Sequence, residues 1–218
     1  MHIAFLTPEY PHPSTGNSGG LGTSIRNIAL ALFEKGITIS VIVPYQNKTE
    51  TISDEGITLF KIQNKKYRLA NWFFYKKLLA KEINILIEQH QIDVIEAPDW
   101  TGITAFMSLD CPITVRLNGS DTYFCHIDKR PQKKKNFILE KKNLENASGL
   151  LSASAYTAKM TKALFKIKKD FTIIHNGINT EVFRPLSGES ENQILYFGTV
   201  IRKKGVLDLA KAFNQIIE

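Results

Sequence analysis

The sequence predicts a doubly wound α/β protein, a largely parallel sheet with helices on both faces. Short apolar, β-branched runs recur at 3–7 (IAFLT), 37–43 (ITISVIV), 57–62 (ITLFKI), 93–97 (DVIEA), 113–117 (ITVRL), 149–153 (GLLSA) and 171–175 (FTIIH). Several are apolar almost throughout, as strands covered on both faces are. Helical patterns separate them, so strand and helix alternate and right-handed crossovers follow.

The first helical pattern places Ile25, Ile28, Ala29, Leu32 and Phe33 on one face, with Gly36 as its stop. Residues 70–90 (ANWFFYKKLLAKEINILIEQH) form the longest candidate. A third, 131–147, begins with Pro131 in its first turn, and a fourth, 154–165, opens on Ser154 as a cap. RPLSGESENQ (184–193) then reads as a linker, followed by a strand at 194–199 (ILYFGT) and a helix at 205–217. One strand and one helix bury no core of their own. The expected organisation is a first domain over 1–183, a linker over 184–193, and the opening of an incomplete second domain over 194–218.

At 218 residues and 43% hydrophobic, the chain suits a globular protein of one full domain and the start of another. A formal net charge of +7 favours acidic partners such as phosphates, nucleic acid or an anionic membrane surface. Lysines and aromatics do not alternate on one platform, which argues against nucleic acid. Lys133-Lys134-Lys135, with Lys141 and Lys142, reads as the wet face of a helix or as an attraction to an anionic leaflet. No apolar run approaches the roughly 20 residues that cross a bilayer, and Met1 leads straight into IAFLTPE, so a cytoplasmic location is the expectation. Cys111 and Cys125 lack the spacing of a zinc site or a disulfide framework and read as reduced thiols.

Ligands of doubly wound sheets bind beyond the carboxyl ends of the strands. GNSGGLGT (16–23) lies at such an end, but it is neither GxGxxG nor a Walker loop, and the second strand ends Val43-Pro44-Tyr45-Gln46 without the acid that holds a ribose. The segment PEYPHPSTGNSGGLG is a long loop of a length that marks a lid, a binding loop or disorder. Its glycines let backbone N–H groups approach an anion, and Thr23 or Ser24 would open a helix whose positive end favours negative charge.

The opening MHIAFLTPEYPHPSTGNSGGLGTSIRNIALALFEKGITISVIVP resembles that of nucleotide-sugar-dependent glycosyltransferases of family 4, which have the GT-B architecture of two facing Rossmann-like domains. DVIEAPDWTG, PITVRLNGSD, GLLSASAYTAKM, IIHNGINTEVFRP and ILYFGTVIRKKGVLDLAKAF are similar to later segments of the family, in the same order. The resemblance implies an acceptor-binding, Rossmann-like N-terminal domain and the start of a donor-binding one. It implies transfer from a nucleotide-sugar donor to a glycan, lipid-linked or other hydroxyl acceptor, with retention of configuration and without cofactor or catalytic metal. It also implies that most donor contacts lie beyond Glu218, leaving this piece inactive alone. A non-catalytic phosphate- or glycan-binding module, or another GT-B enzyme such as a nucleotide-sugar epimerase, are the alternatives.

Departure of a diphosphate develops negative charge, which calls for cations and N–H donors. The resemblance puts Gly19, Gly20, Leu21 and Gly22 on one side of the donor phosphates and Arg202 and Lys204 on the other. Thr199 stands where the family often has an arginine, a place for which Arg202 compensates; RKKG is otherwise a solvated turn. Asn118 stands where many relatives carry a histidine that contacts the transferred sugar. An amide keeps the sugar contact but carries no proton. Trp100, beside Asp99, either stacks on an acceptor or packs; Arg116 either pairs with an acid or reaches the cleft; Asp121 either binds an acceptor hydroxyl or forms a turn.

Overall fold

The computed structural model describes residues 1–68, 71–185 and 193–216. The chain divides into two units, Met1–Asn179 and Thr180–Glu218. In the first, the order is β1 (His2–Leu6), α1 (Gly20–Glu34), β2 (Thr38–Gln46), β3 (Glu50–Asp54), β4 (Ile57–Gln63), α2 (Asn71–His90), β5 (Val94–Pro98), β6 (Ile113–Leu117), α3 (Asp121–Ile127), α4 (Lys134–Asn146), β7 (Gly149–Ser152), α5 (Ala155–Phe165) and β8 (Thr172–Ile173).

The strands form one sheet in the order β3-β4-β2-β1-β5-β6-β7-β8, parallel throughout except for the β3–β4 pair. The winding reverses at β1, which pairs with β2 on one side and β5 on the other. This is the switch point beside which such sheets bind ligands. Side-chain alternation sends Ala4, Leu6, Ile42, Phe60 and Ile95 to one face, where Leu79 and Ile83 of α2 cover them. Phe5, Val41, Val43 and Leu59 point the other way, toward Ile25 and Ala29 of α1. Beyond β5, Val115, Leu117 and Leu150 pack with Leu144 of α4 and Phe165 of α5. Burying each large side chain contributes roughly 1.5–3 kcal/mol, so both faces of the sheet must be covered.

Three local features differ from expectation. The polar run before Ile57 forms an edge strand, β3, returned by a turn in which Glu55 and Gly56 have φ of 49° and 87°; two successive positive φ values are those of a tight hairpin turn. α1 opens at Gly20, not at Thr23 or Ser24. α4 begins at Lys134, leaving Pro131 ahead of it, and residues 121–127 form the separate helix α3. Ser154 caps α5 as expected, its hydroxyl accepting the Thr157 N–H at 3.1 Å.

In the second unit, Val206–Asn214 form α6, preceded by a turn of 3-10 helix over Arg202–Lys204. The expected strand at 194–199 is not formed. A strand exists only through ladder bonds to a neighbour, and the described residues of this unit hold no second strand. Residues 186–192 of the expected linker lie outside the described residues.

One tight approach fixes how α4 meets the sheet. Gly102 sits at φ 59°, and a Cβ there would lie 2.4 Å from the backbone of Leu139. Gly102→Ala is expected to destabilise the first unit by about 2–4 kcal/mol, measured as a lowered urea midpoint at unchanged slope.

Candidate functional site

β5 and β6 are neighbours, and Trp100 and Asn118 follow their carboxyl ends at the same edge of the sheet. Pro98 is in register with Arg116, and the Asp99 carboxylate accepts the Asn118 N–H at 2.8 Å. Trp100 is 43% exposed, so of its two readings the structure leaves the ring available for stacking. The Asn118 side chain is also exposed; its Nδ2 donates to the Arg116 carbonyl at 3.2 Å, and its Oδ1 has no hydrogen-bond partner among the described residues.

Beneath these exposed groups lies a set of buried polar side chains. Asp99 is fully enclosed, and burial, reinforced by the charge of Glu140, pushes its pKa up to about 7. Glu140 is buried too, with its pKa raised by burial; it accepts the N–H groups of Asp121 at 2.8 Å and Thr122 at 3.1 Å and so caps α3. Asn143 donates to the Pro98 carbonyl at 3.1 Å and accepts from the Thr104 N–H at 3.1 Å. The Lys76 ammonium donates to the carbonyls of Gly102, Ile103 and Ala105 at 2.8, 2.9 and 2.9 Å. Burial, then the charge of Lys135, pushes Lys76 down to about 7, while three carbonyls that each accept an N–H favour the ammonium.

Arg116 takes the first of its two readings. Its guanidinium makes a two-pronged bond to Glu96, at 2.6 and 3.1 Å, and both side chains are largely buried. Two of its five N–H donors are thus committed to Glu96 rather than to an acceptor, which is the first of the two readings. Asp121 is engaged inside the protein as well. It opens α3, its carboxylate accepting from Asn136 at 2.8 Å and Arg130 at 2.7 Å, partners that hold its pKa below the usual range. It joins α3 to the segment that follows, so both of its oxygens already have partners inside the protein.

The glycine loop is packed. Tyr10 is fully buried and donates from its hydroxyl to Asp54 at 2.9 Å, while the Thr15 hydroxyl donates to the Tyr10 carbonyl at 2.6 Å. The reason α1 starts early is Glu9, whose carboxylate accepts the N–H groups of Gly19 at 3.1 Å and Gly22 at 2.9 Å. An acid 10 residues before Gly19 and 13 before Gly22 thus supplies the anion that favours a helix N-terminus. Of the four residues expected to face donor phosphates, Gly19 and Gly22 have their N–H groups engaged by Glu9. Gly22 has no room for a side chain, a Cβ meeting Ser18 Oγ at 2.1 Å, whereas Gly20 faces open space.

In the second unit Arg202 and Lys204 are exposed, and no bond to either side chain is present among the described residues. Gly205, at φ 71°, ends their turn and is the N-cap of α6, so Lys204 stands at the positive end of that helix. Among the described residues no group of three or more His, Cys, Asp or Glu is arranged to hold a metal ion, and no helix is long and apolar enough to cross a membrane. Cys111 and Cys125 are free.

Glu9, Lys76, Glu140 and Asn143 were missed by the sequence reading. Lys76 shares the buried stripe of α2 with Leu79, Ile83 and Ile87, and Glu140 and Asn143 share that of α4 with Leu139 and Leu144. A polar residue at a core-facing helical spacing was the available signal.

The sheet order and crossovers define a Rossmann-like domain of the GT-B class. It is similar to sucrose-phosphate synthase from Thermosynechococcus elongatus (TM-score 0.67, 13% identity, 85% of this chain and 50% of that one). It is also similar to the catalytic domain of Starch Synthase IV from Arabidopsis thaliana (0.50, 16%, 83% and 52%) and to MurG from Acinetobacter baumannii (0.51, 12%, 82% and 46%). The chain thus spans about half the length of these structures. The profile of Glycosyltransferase Family 4 matches residues 18–182, and the chain belongs to that family. No curated protein matches it by sequence.

A carboxyl whose folded pKa exceeds its unfolded one binds more protons in the native state. The contribution of Asp99 is therefore full below about 4 and lost as pH rises through about 7. Asp99→Asn keeps an acceptor for the Asn118 N–H and has no proton to lose. Between pH 4 and pH 8 the variant is expected to gain roughly 3–4 kcal/mol relative to wild type, read from urea unfolding of both proteins across that range.

Proposed function

We propose that Met1–Asn179 is the acceptor-binding domain of a retaining glycosyltransferase that uses a nucleotide sugar, and that Thr180–Glu218 begins its donor-binding domain. The observation that carries this is the exposed pair Trp100 and Asn118, following the carboxyl ends of β5 and β6 in a chain of Glycosyltransferase Family 4. Starch Synthase IV, a structural relative, was solved with ADP and acarbose, a nucleotide and a glycan.

In this reading Trp100 stacks on the acceptor and the Asn118 amide hydrogen-bonds the transferred sugar, without exchanging a proton. Lys204 and Arg202, at the start of α6, neutralise charge on the departing diphosphate. Gly20 leaves open space at the start of α1, with Glu9 holding the loop's shape. The donor enters as a substrate, no resident metal or cofactor takes part, and the protein works in the cytoplasm. The 218-residue chain alone is inactive.

The test is transfer measured on a chain carrying both domains. Trp100→Ala is expected to raise the acceptor KM about tenfold with little change in kcat, since uniform binding is lost. Gly20→Trp, at a position with open space around it, is expected to lower donor use by about tenfold or more while the melting temperature holds. Unchanged kinetics in both variants would remove the assignment, and brisk transfer by the 218-residue chain would remove the division of labour.

A peripheral contact with an anionic membrane surface, where lipid-linked acceptors reside, is a second part of the proposal. It rests on Trp72, whose ring centroid lies 5.4 Å from the ammonium groups of the buried Lys76 and of Lys135. Phe106 meets Trp72 edge-on at 6.2 Å, and Phe73 and Phe106 are both 57% exposed. The groove between them has a volume of about 520 Å³ and no acid in its lining. Exposed aromatic rings with lysines around them suit an anionic interface. The protein is expected to sediment with vesicles containing anionic phospholipid and not with purely zwitterionic ones. Trp72→Ser should weaken this about tenfold; equal binding to both vesicle types would exclude it.

A further inference from the structure

We infer that Tyr45 and the cleft beside it form a second carbohydrate subsite, which holds a sugar of the acceptor away from the reacting hydroxyl. The inference rests on the acceptor-domain reading above. Tyr45 is a bulky residue at φ 65°, in the left-handed region that costs such side chains of the order of 1 kcal/mol or more. It stands in an irregularity of β2, where the register with β4 shifts between Val43 and Gln46 and Pro44 interrupts the ladder. The strained backbone is held from behind: the Tyr45 N–H donates to the Tyr75 hydroxyl at 3.0 Å, and the two rings lie 5.2 Å apart. The result is a tyrosine 44% exposed at the carboxyl end of β2.

Tyr45 lines a cleft of about 600 Å³, within the usual range for small-ligand sites. Ser14, Thr15, Gln46, Asn47 and Glu50 line it with hydroxyl, amide and carboxylate groups. Its floor is built rather than loose. The buried Lys61 ammonium donates to the Ser14 carbonyl and to Glu50, which also pairs with Lys48. Hydrogen bonds first from Lys48 and then from Lys61 hold the Glu50 pKa below the usual range, so the carboxylate stays ionised and accepts hydrogen bonds from hydroxyls. An aromatic face with fixed donors and acceptors around it matches a sugar ring, which is apolar on its C–H face and rimmed by hydroxyls. β2 lies two strands from β5, on the order of 10 Å at the usual strand spacing. A chain of sugars is able to run from Trp100 across β1 to Tyr45, so the acceptor class is an oligosaccharide rather than a single sugar.

The probe is a printed array of neutral and acidic oligosaccharides, applied to the 218-residue chain and to Tyr45→Gly, Tyr45→Phe and Trp100→Ala, with thermal unfolding in parallel. Glycine adopts φ 65° without strain. Tyr45→Gly is therefore expected to melt within a few degrees of wild type and to lose about tenfold or more in apparent affinity. Tyr45→Phe keeps the ring and is expected to stay within about threefold. If Tyr45→Gly melts well below wild type, Tyr45→Asn, which tolerates the left-handed region, replaces it and must show the same loss. Retention by Tyr45→Gly with loss only in Trp100→Ala overturns the subsite and leaves the acceptor domain standing. An array on which wild type retains no glycan also overturns the subsite, and the acceptor reading is then decided by the two-domain transfer assay.

Discussion

The working end of this domain depends on one requirement, that buried backbone groups leaving the sheet find partners. At the carboxyl ends of β5 and β6 the chain turns out of the ladder while still enclosed, and four side chains meet its loose ends. Asp99 takes the N–H of Asn118, Glu140 those of Asp121 and Thr122, Asn143 bridges Pro98 and Thr104, and Lys76 gathers three carbonyls after Trp100. Removing any of them would strand a buried donor or acceptor, which is more costly than the bond itself is favourable. Trp100 and Asn118 are therefore exposed side chains on a fixed backbone. A loop free to wander would lose ordering entropy at each binding event.

A second consequence concerns charge. The two helix starts associated with donor phosphates are in different states. The N–H groups of Gly19 and Gly22 at the start of α1 already bind the carboxylate of Glu9, so a phosphate approaching there meets a carboxylate competing for the same donors. At the start of α6, Lys204 and Gly205 precede the first turn and the lysine has no partner among the described residues. In the proposed reading, this contrast favours the lysine turn over the glycine loop as the place where diphosphate charge is met. The glycines then matter for the space they leave, as at Gly20, or the close packing they allow, as at Gly22.

Sheet polarity gathers the rest. In a parallel sheet every loop that follows a strand emerges on the same side, so Trp100, Asn118, Tyr45 and the start of α2 with Trp72 all lie at the carboxyl end. Helices cover the two faces and leave this rim as the place where side chains stay uncommitted. Residues near it that look functional by type, such as Arg116 and Asp121, are paired inside the protein.

Periodicity and strand composition were sufficient to read the doubly wound sheet and the large helices, because apolar spacing along a segment decides which face it buries. β3 escaped because its polar residues lie on a sheet edge, where a strand needs no apolar run. The lone strand at 194–199 was overread, because a β pattern makes a strand only beside a partner. At the site, the order of motifs was enough to place Trp100 and Asn118 at strand ends and to identify the family. Whether a charged residue faces a ligand or another residue was decided by tertiary structure alone. Arg116 meets Glu96 and Glu9 meets Gly22 through contacts between separate segments, and no local spacing encodes which segments the fold will bring together.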